Sequence, residues 1–281
     1  MKTGIREPIV AGAFYPARRE ELASVVTSLF SEEIDRRCVP LPDPCGLIVP
    51  HAGYPYSGPT AAAAFRFAAA QGRPEVVILL GASHSGFGGP VALDDHAAWR
   101  TPLGDMPIDH ELVEKLARGG MAIDRSAFLR EHSIEVQLPF LQVLWGSTVP
   151  ILPICIQSAD LASLTVAAEA VAGTLRAVGS PLLVASSDFT HYEPDPVARR
   201  LDHAALEPIL ALDAVRFLRL CVEERLSICG AGAIAILMLV ARELGMVETT
   251  LVHYATSGDT TGDRAAVVGY AAVSFLRRDH G

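Results

Sequence analysis

Six short, continuous apolar segments alternate with helix-like stretches along this chain. The apolar segments cover residues 46–50, 75–81, 148–156, 180–187, 250–257 and 265–275. Continuous apolar runs of this length are typical of strands that are buried on both faces. Burial on both faces requires helices above and below the sheet. The sequence therefore predicts an α/β protein, a three-layer α/β/α sandwich with a central sheet that is mostly parallel or mixed.

The stretches between the apolar segments predict helices, and two segments predict irregular structure. Residues 86–108 place turn residues around a short Val-Ala-Leu run, which predicts an inserted hairpin. Pro40, Pro42 and Pro44 predict a loop before the first core strand. The predicted helices cover residues 18–33, 58–71, 109–118, 133–145, 159–177, 196–223 with a break, and 230–244.

Composition limits the classes of function. A chain of 281 residues that is 50% hydrophobic buries a large core, in one large domain or two smaller ones. We find no low-complexity linker and no repeat, which favours a single domain over residues 1–281. The net charge of -9 argues against binding to nucleic acid or an anionic membrane surface. Five widely spaced cysteines indicate reduced thiols rather than a disulfide framework.

The sequence predicts a soluble, cytoplasmic protein. Its first residues contain no apolar run followed by a cleavage site, so no export signal is evident. The longest apolar run near the C-terminus, AGAIAILMLVA, has about half the length needed to cross a bilayer.

Four side chains that can bind metal lie just beyond apolar segments or at a break between segments. They are His51 in VPHAGY, His84 in GASHSG, His191 in SDFTHY and Cys229 in SICGAG. An open α/β sheet gathers its chemistry at the carboxyl ends of its strands. One such histidine is more often structural than functional, but the repeated placement predicts a shared crevice.

Asp188 and Cys229 each allow a structural and a functional interpretation. Asp188 can orient the nearby His191, as carboxylates do at metal and acid/base sites, or it can simply cap a helix or form a turn. Cys229 can be a small buried hydrophobic residue, the interpretation we prefer for Cys38, Cys155 and Cys221. Its place before an apolar helix also favours a thiolate that binds metal.

The segment LREHSIEVQLPFLQ contains a further polar cluster. We expect Ser133 to cap a helix that starts near Ile134, with Glu135 in its first turn. Glu131 and His132 stay unexplained by this cap and are predicted to line the site. Ser83 and Tyr54, beside His84 and His51, are also predicted to line it. We interpret the remaining histidines as structural or solvated: His96, His110, His203, His253 and His280.

Seven motifs occur in one order along nearly the whole chain: EPIVAGAFYP, VPHAGYPYSG, LLGASHSG, WRTPLGDMPID, EHSIEVQLPFL, SSDFTHYE and SICGAGAI. This set resembles the Memo family, which includes the proteins called AmmeMemoRadiSam system protein B. The resemblance implies a fold similar to the LigB-type class III extradiol dioxygenases, which are non-haem Fe(II) enzymes. It implies that His51 and His84 are metal ligands and that His191 is the acid/base histidine. It also places Asp188 and His132 in the site.

Cys229 falls where the resemblance places a glutamate ligand in the dioxygenases. Replacing a carboxylate by a thiolate shifts metal preference toward Zn(II), Cu(I) or a differently tuned iron. Three functions therefore stay open. The first is an Fe(II)-dependent oxidoreductase of unknown small-molecule substrate, in which His191, oriented by Asp188, moves a proton. The others are a Zn-dependent hydrolase and a non-catalytic metal-binding partner of an AMMECR-type protein and a radical SAM enzyme.

Overall fold

All six apolar segments form strands. The computed structural model describes residues 4–30 and 40–277, and twelve strands lie within them. They are β1 (Ile5–Arg6), β2 (Cys45–Val49), β3 (Val76–Ala82), β4 (Val91–Leu93), β5 (Ala98–Thr101), β6 (Gly104–Pro107), β7 (Ala122–Ile123), β8 (Ile151–Ile156), β9 (Pro181–Ser186), β10 (His191–Glu193), β11 (Glu248–Thr256) and β12 (Val267–Leu276).

Nine α-helices lie in the same described residues. They are α1 (Arg19–Leu29), α2 (Tyr54–Gln71), α3 (His110–Arg118), α4 (Leu138–Trp145), α5 (Leu161–Leu175), α6 (Asp195–Leu210), α7 (Ala214–Glu223), α8 (Ala231–Leu244) and α9 (Ser257–Thr261). The break predicted within residues 196–223 separates α6 from α7. Residues 31–33 of the first predicted helix lie outside the described residues. None of the described helices combines the length and apolar character needed to cross a bilayer.

Nine strands form one mixed sheet in the order β10-β12-β2-β9-β3-β8-β4-β7, with β11 paired to β12. The inner strands β2, β9, β3 and β8 run parallel, and β12 pairs antiparallel with β2. Every residue of the four inner strands is buried. Helices α1, α2 and α4 pack together beside the sheet, as do α5, α7 and α8. The predicted three-layer fold with a mixed sheet is confirmed.

The segment 86–108 differs from the single hairpin that its turn residues predict. β5 and β6 do pair antiparallel, and β5 also pairs with β1 in a separate three-stranded sheet. The Val-Ala-Leu run forms β4, which pairs antiparallel with β8 in the large sheet. Ala92 and Leu93 are fully buried there, because the open side of β8 gives these apolar residues a partner.

The predicted helix over residues 133–145 begins later than expected. Residues Glu135–Gln137 form a 3-10 turn and α4 starts at Leu138. Ser133 does not cap a helix, since its hydroxyl donates to the carbonyl of Ala82 at the end of β3. This bond fastens the segment to the sheet.

Strand order brings three predicted site residues together. His51 lies two residues beyond the end of β2, and Asp188 and His84 lie two residues beyond the ends of β9 and β3, respectively. These strands are adjacent and parallel, so their carboxyl ends share one edge of the sheet. The fold thus juxtaposes residues that are far apart in sequence.

Two glycines let the start of α8 approach this edge. A Cβ atom on Gly230 would lie 2.6 Å from the Ser186 carbonyl oxygen, and one on Gly232 would lie 2.4 Å from the Ser158 carbonyl oxygen. Both contacts are with backbone, which cannot rotate away. The approach positions Cys229, which directly precedes Gly230.

We expect Gly232→Ala to lower the free energy of unfolding by about 1–3 kcal/mol, because the methyl group overpacks α8 against the Ser158 backbone. Gly173→Ala is the matched control, since Gly173 lies on α5 with no neighbouring atom within 4 Å of an added Cβ. That control is expected to gain about 0.5–1 kcal/mol from helix propensity. Urea denaturation of both variants measures the difference, and equal stabilities would contradict the close approach.

Candidate metal centre

Three of the predicted ligands meet at the carboxyl edge of the sheet. One donor atom each from His51, His84 and Cys229 lies within 4.8 Å of the other two. Metal–nitrogen and metal–sulfur bonds measure roughly 2.0–2.3 Å, so two donors on one ion lie up to about 4.6 Å apart. The three donors therefore lie close enough together to hold one transition-metal ion.

A serine hydroxyl determines which nitrogen of His51 carries the proton. Ser186 Oγ lies 2.9 Å from His51 Nδ1. The Ser186 hydroxyl donates its single hydrogen to the Ser133 carbonyl at 2.6 Å. Gln137 Nε2 donates to Ser186 Oγ at 2.8 Å. Ser186 must therefore accept from His51 Nδ1–H, so Nε2 presents its lone pair. Burial, followed by the nearby charge of His84, lowers the pKa of His51 well below its usual value, which favours the neutral ring that metals bind.

A buried carboxylate orients His84. Glu131 Oε1 lies 3.0 Å from His84 Nδ1, and Oε2 accepts the backbone amide of His84 at 2.6 Å. Oε1 also accepts the amides of His132 at 2.9 Å and Ser133 at 2.8 Å. An ionised carboxylate only accepts, so His84 Nδ1 donates and Nε2 is left to bind a metal. Glu131 was predicted to line the site, and the structure places it beneath His84 as a support.

The charge state of Glu131 follows from these contacts. Burial acts to raise the pKa of Glu131, but the hydrogen bonds and charge of His84, with the Ser133 amide, hold it at about 2. For His84 itself, burial lowers the pKa while the hydrogen bond and charge of Glu131 raise it, and the net direction is upward. Glu131 thus increases the basicity of the nitrogen that faces a metal.

Cys229 lies against the other two donors. Its Sγ is 3.1 Å from His51 Nε2, and it accepts the backbone amide of Asp188 at 3.3 Å. Burial, followed by the charge of Asp188, raises the pKa of the Cys229 thiol, whereas the Asp188 amide and the Ser187 hydroxyl lower it. The net direction of the pKa is upward, so a bound cation would be needed to favour the thiolate at this position.

Asp188 has a different partner from the one predicted. Its Oδ1 accepts the backbone amide of His51 at 2.8 Å, so the carboxylate fixes the turn after β2. Burial raises the pKa of Asp188 to about 6, although the His51 amide and the charges of His191 and His84 oppose this. Asp188 is buried and also lines the cavity that opens above the candidate ligands.

His191 is oriented by Ser227 rather than by Asp188. The Ser227 carbonyl lies 2.8 Å from His191 Nδ1, and the Ser227 hydroxyl accepts the His191 amide at 2.7 Å. A carbonyl oxygen only accepts, so Nδ1 carries the proton and Nε2 can take one from a ligand. Sequence reasoning missed this partner because Ser227 follows His191 by 36 residues.

His132 lies over the two candidate ligand histidines. Its ring stacks on His84 with centroids 4.6 Å apart and meets His51 edge-on at 5.5 Å. Burial, followed by the charge of His84, lowers the pKa of His132. His84, Glu131 and His132 also place donor atoms within 4.8 Å of one another. Because Glu131 already accepts several N–H groups, we interpret this second group as support for the first.

A cavity of about 630 Å³ opens above these residues. The predicted residues that line it are His51, His84, His132, Asp188 and His191. Its other lining residues form an aromatic wall and a polar rim, and sequence reasoning assigned no role to them. They include Phe14, Tyr56, Tyr192, Tyr270, Ser257, Thr261 and Asp263.

Two predicted lining residues lie elsewhere. Tyr54 is buried in the core, where its hydroxyl donates to the Val136 carbonyl at 2.7 Å. Tyr56 lines the cavity instead, because residues two apart on α2 point in nearly opposite directions. Ser83 is not among the lining residues, and its amide continues the pairing with β8 by donating to the Ile156 carbonyl.

Tyr192 stands out among the aromatic residues. Its φ of 61° lies in the left-handed region, and 78% of the residue is exposed. A bulky side chain in this region is uncommon and costs roughly 1–3 kcal/mol. The pairing of β10 with β12 is irregular between His191 and Glu193, the residues on either side of Tyr192. Its place directly after His191 is the signal that could have marked it.

Glu135 has a larger role than the helix position predicted for it. This fully buried carboxylate forms an ion pair with Arg6 and accepts the Tyr15 hydroxyl at 2.7 Å. It also accepts the backbone amides of Ile9 and Val10. These bonds hold the N-terminal segment that contributes Phe14 to the cavity.

Within the described residues, the histidines interpreted as structural or solvated lie outside the cavity lining. His96 pairs with Asp94, His203 contacts the Arg199 carbonyl and His253 contacts Thr60. The cysteines within the described residues, Cys45, Cys155, Cys221 and Cys229, are free thiols. His280 and Cys38 lie outside the described residues.

Comparison with known proteins identifies relatives over nearly the whole chain. The family model described as Memo-like protein matches residues 6–274. A MEMO1 family protein of Methanopyrus kandleri is 41% identical over 97% of this chain and 99% of its own length. One from Nitrosopumilus maritimus is 40% identical over 97% of this chain and its full length.

A solved structure supports the fold alone. The crystal structure of an uncharacterized protein from Escherichia coli K12 matches with a TM-score of 0.51 and 15% identity, over 82% of this chain and 98% of that one. The sequence relatives and the family model are more specific than this structural likeness. On their evidence, this chain belongs to the Memo family.

Proposed function

We propose that this protein is a non-haem, Fe(II)-dependent oxidoreductase acting on a small molecule. The observation that carries the proposal is the convergence of His51, His84 and Cys229 donors within 4.8 Å. The hydrogen bonds to Ser186 and Glu131 leave both histidine Nε2 atoms available for coordination. Three protein ligands leave positions on an iron ion for substrate and dioxygen.

Each protein group would have a defined task. When bound, Fe(II) supplies the sites for substrate and dioxygen and the electron for redox chemistry. His51 and His84 present nitrogen ligands whose tautomers are fixed, and the Asp188 amide donates to the Cys229 sulfur. His191, with its proton on Nδ1, takes a proton from the bound substrate at Nε2.

A Zn-dependent hydrolase is the second candidate, and the presence of the Cys229 sulfur among the three donors is the observation that favours it. Sulfur and imidazole ligands suit Zn(II), and Zn(II) lowers the pKa of bound water. His191 would then act as general base toward that water. Activity with zinc and none with iron would select this function. Association with an AMMECR-type protein and a radical SAM enzyme stays a prediction, which co-purification can test.

Replacing any one of the three donors should abolish tight metal binding. We expect His51→Ala, His84→Ala and Cys229→Ser each to lower metal stoichiometry toward zero, and Cys229→Ser to remove the sulfur-to-cobalt charge-transfer band of Co(II)-loaded protein. His203→Gln is the control, because His203 contacts the Arg199 carbonyl outside the cavity. Elemental analysis and absorption spectra measure both effects. Unchanged stoichiometry in both histidine-to-alanine variants would refute the ligand assignment.

Glu131→Gln should weaken metal binding while all three ligands are retained. The amide keeps one acceptor oxygen, but its NH₂ group faces N–H donors that the carboxylate accepted. Loss of a carboxylate behind a histidine ligand typically costs 10–100-fold in metal affinity. Competition with a metal chelator gives the affinity, and thermal unfolding of the same samples detects any general loss of stability. Wild-type affinity would show that Glu131 does not act through His84.

His191→Gln should impair turnover more than metal retention. Removing a general acid or base typically lowers the rate by about 10²–10⁴-fold. Oxygen consumption by anaerobically iron-loaded protein, measured with catechol-like compounds, gives the rate, and elemental analysis gives the iron content. Loss of metal from this variant would instead identify His191 as a ligand. Iron-loaded wild-type protein that consumes oxygen with no candidate would count against the oxidoreductase.

A further inference from the structure

The outer part of the cavity is rich in aromatic rings that the metal centre does not use. Tyr56 and Tyr192 line it and are 45% and 78% exposed. The Tyr192 ring meets the His191 ring edge-on at a centroid distance of 5.8 Å. Tyr270 also lines the cavity and is 2% exposed. Three phenol rings therefore line one cavity, and two of them are exposed to solvent.

The lining of this cavity includes acidic side chains. Asp188 and Asp263 line it, and no lysine or arginine does so among the described residues. Arg199 and Arg264, which lie near the rim, are both paired with Asp195 and Asp259. Besides the four histidines, the lining groups that carry charge are therefore the carboxylates of Asp188 and Asp263.

A network beneath the rim fixes Asp263 in place. Thr256 and Asp259 form a reciprocal cap at the start of α9. The Thr261 hydroxyl accepts the amide of Asp263 at 3.1 Å, and Asp263 Oδ1 accepts the amide of Ala265 at 2.9 Å. Asp263 has no ion-pair partner in the described part of the chain, so its charge can act on a ligand.

We infer that the outer cavity binds an organic ammonium group, held between the tyrosine rings and Asp263. Aromatic faces attract cations, and cages of such rings with a nearby carboxylate suit alkylammonium ions. Asp263 adds a negative charge to the cavity that these rings line, and we assign it as the specificity-determining residue. Tyr192, whose backbone is left-handed, also lines the cavity. The inference rests on the proposed function in taking this cation as part of the substrate.

Choline and its neutral carbon isostere 3,3-dimethylbutan-1-ol test the inference, because they share shape and hydroxyl group and differ in charge. Ligand-observed NMR titrations of Zn-loaded protein should give at least tenfold tighter binding of choline. Asp263→Asn should weaken choline binding about tenfold and leave the alcohol unchanged. Tyr192→Leu should weaken choline binding, whereas Tyr192→Phe should retain it. Glu224→Gln, which removes one exposed negative charge outside the cavity lining, should change neither.

Equal binding of the two compounds, or choline binding that is unaffected by Asp263→Asn, would overturn the cation site. Metal content measured on the same samples keeps the two proposals separate. Protein that holds its metal but shows no charge preference refutes the cation site and leaves the metal centre intact. Protein that prefers choline but binds no metal refutes the metal-dependent function instead.

Discussion

Parallel pairing of β2, β9 and β3 is the constraint on which the site depends. Each strand is buried on both faces, so its register is set by core packing as well as by backbone hydrogen bonds. Because the three strands end at one edge, the residues that follow them converge without any local sequence signal. Cys229 is the candidate ligand that comes from outside this row, and it reaches the edge because Gly230 and Gly232 admit the start of α8.

Buried polar groups then fix the tautomers of the two converging histidines, His51 and His84. Ser186 and Glu131 can act only as hydrogen-bond acceptors toward the histidines. The Ser186 hydroxyl already donates its hydrogen to the Ser133 carbonyl, and the ionised Glu131 carboxylate has no hydrogen to donate. Both therefore accept a hydrogen bond from the Nδ1–H of a histidine and leave its Nε2 free to face the same space. Burying the Glu131 carboxylate without hydrogen-bond donors would cost several kcal/mol. The N–H groups that donate to Glu131 therefore stabilise it in the core, and one of them is the His84 Nδ1–H that it orients.

The sequence predicted the parts that depend on local pattern. Continuous apolar runs identified the inner strands, and strand-end placement marked His51, His84 and His191. Prediction from the sequence failed where the contact that positions a side chain is made by a residue distant in sequence. Ser133 bonds to Ala82 rather than to a helix end, and His191 to Ser227 rather than to Asp188. Tyr54 was predicted to line the site because it is near His51 in sequence, but this proximity does not indicate which side of α2 faces the cavity, and Tyr56 lines it.

Cys229 limits how far the fold can be used to argue function. A likeness in strand order to other proteins carries no chemistry, because function belongs to the residues at the edge of the sheet. Here those residues are a thiol whose pKa is raised by burial and two histidines with fixed tautomers. A metal ion would compensate for the cost of a buried thiolate, so metal binding and ionisation of Cys229 would be one coupled event. The tyrosines and Asp263 that line the outer cavity are not among the three donors, so the ammonium selectivity that we infer for them does not depend on which metal binds.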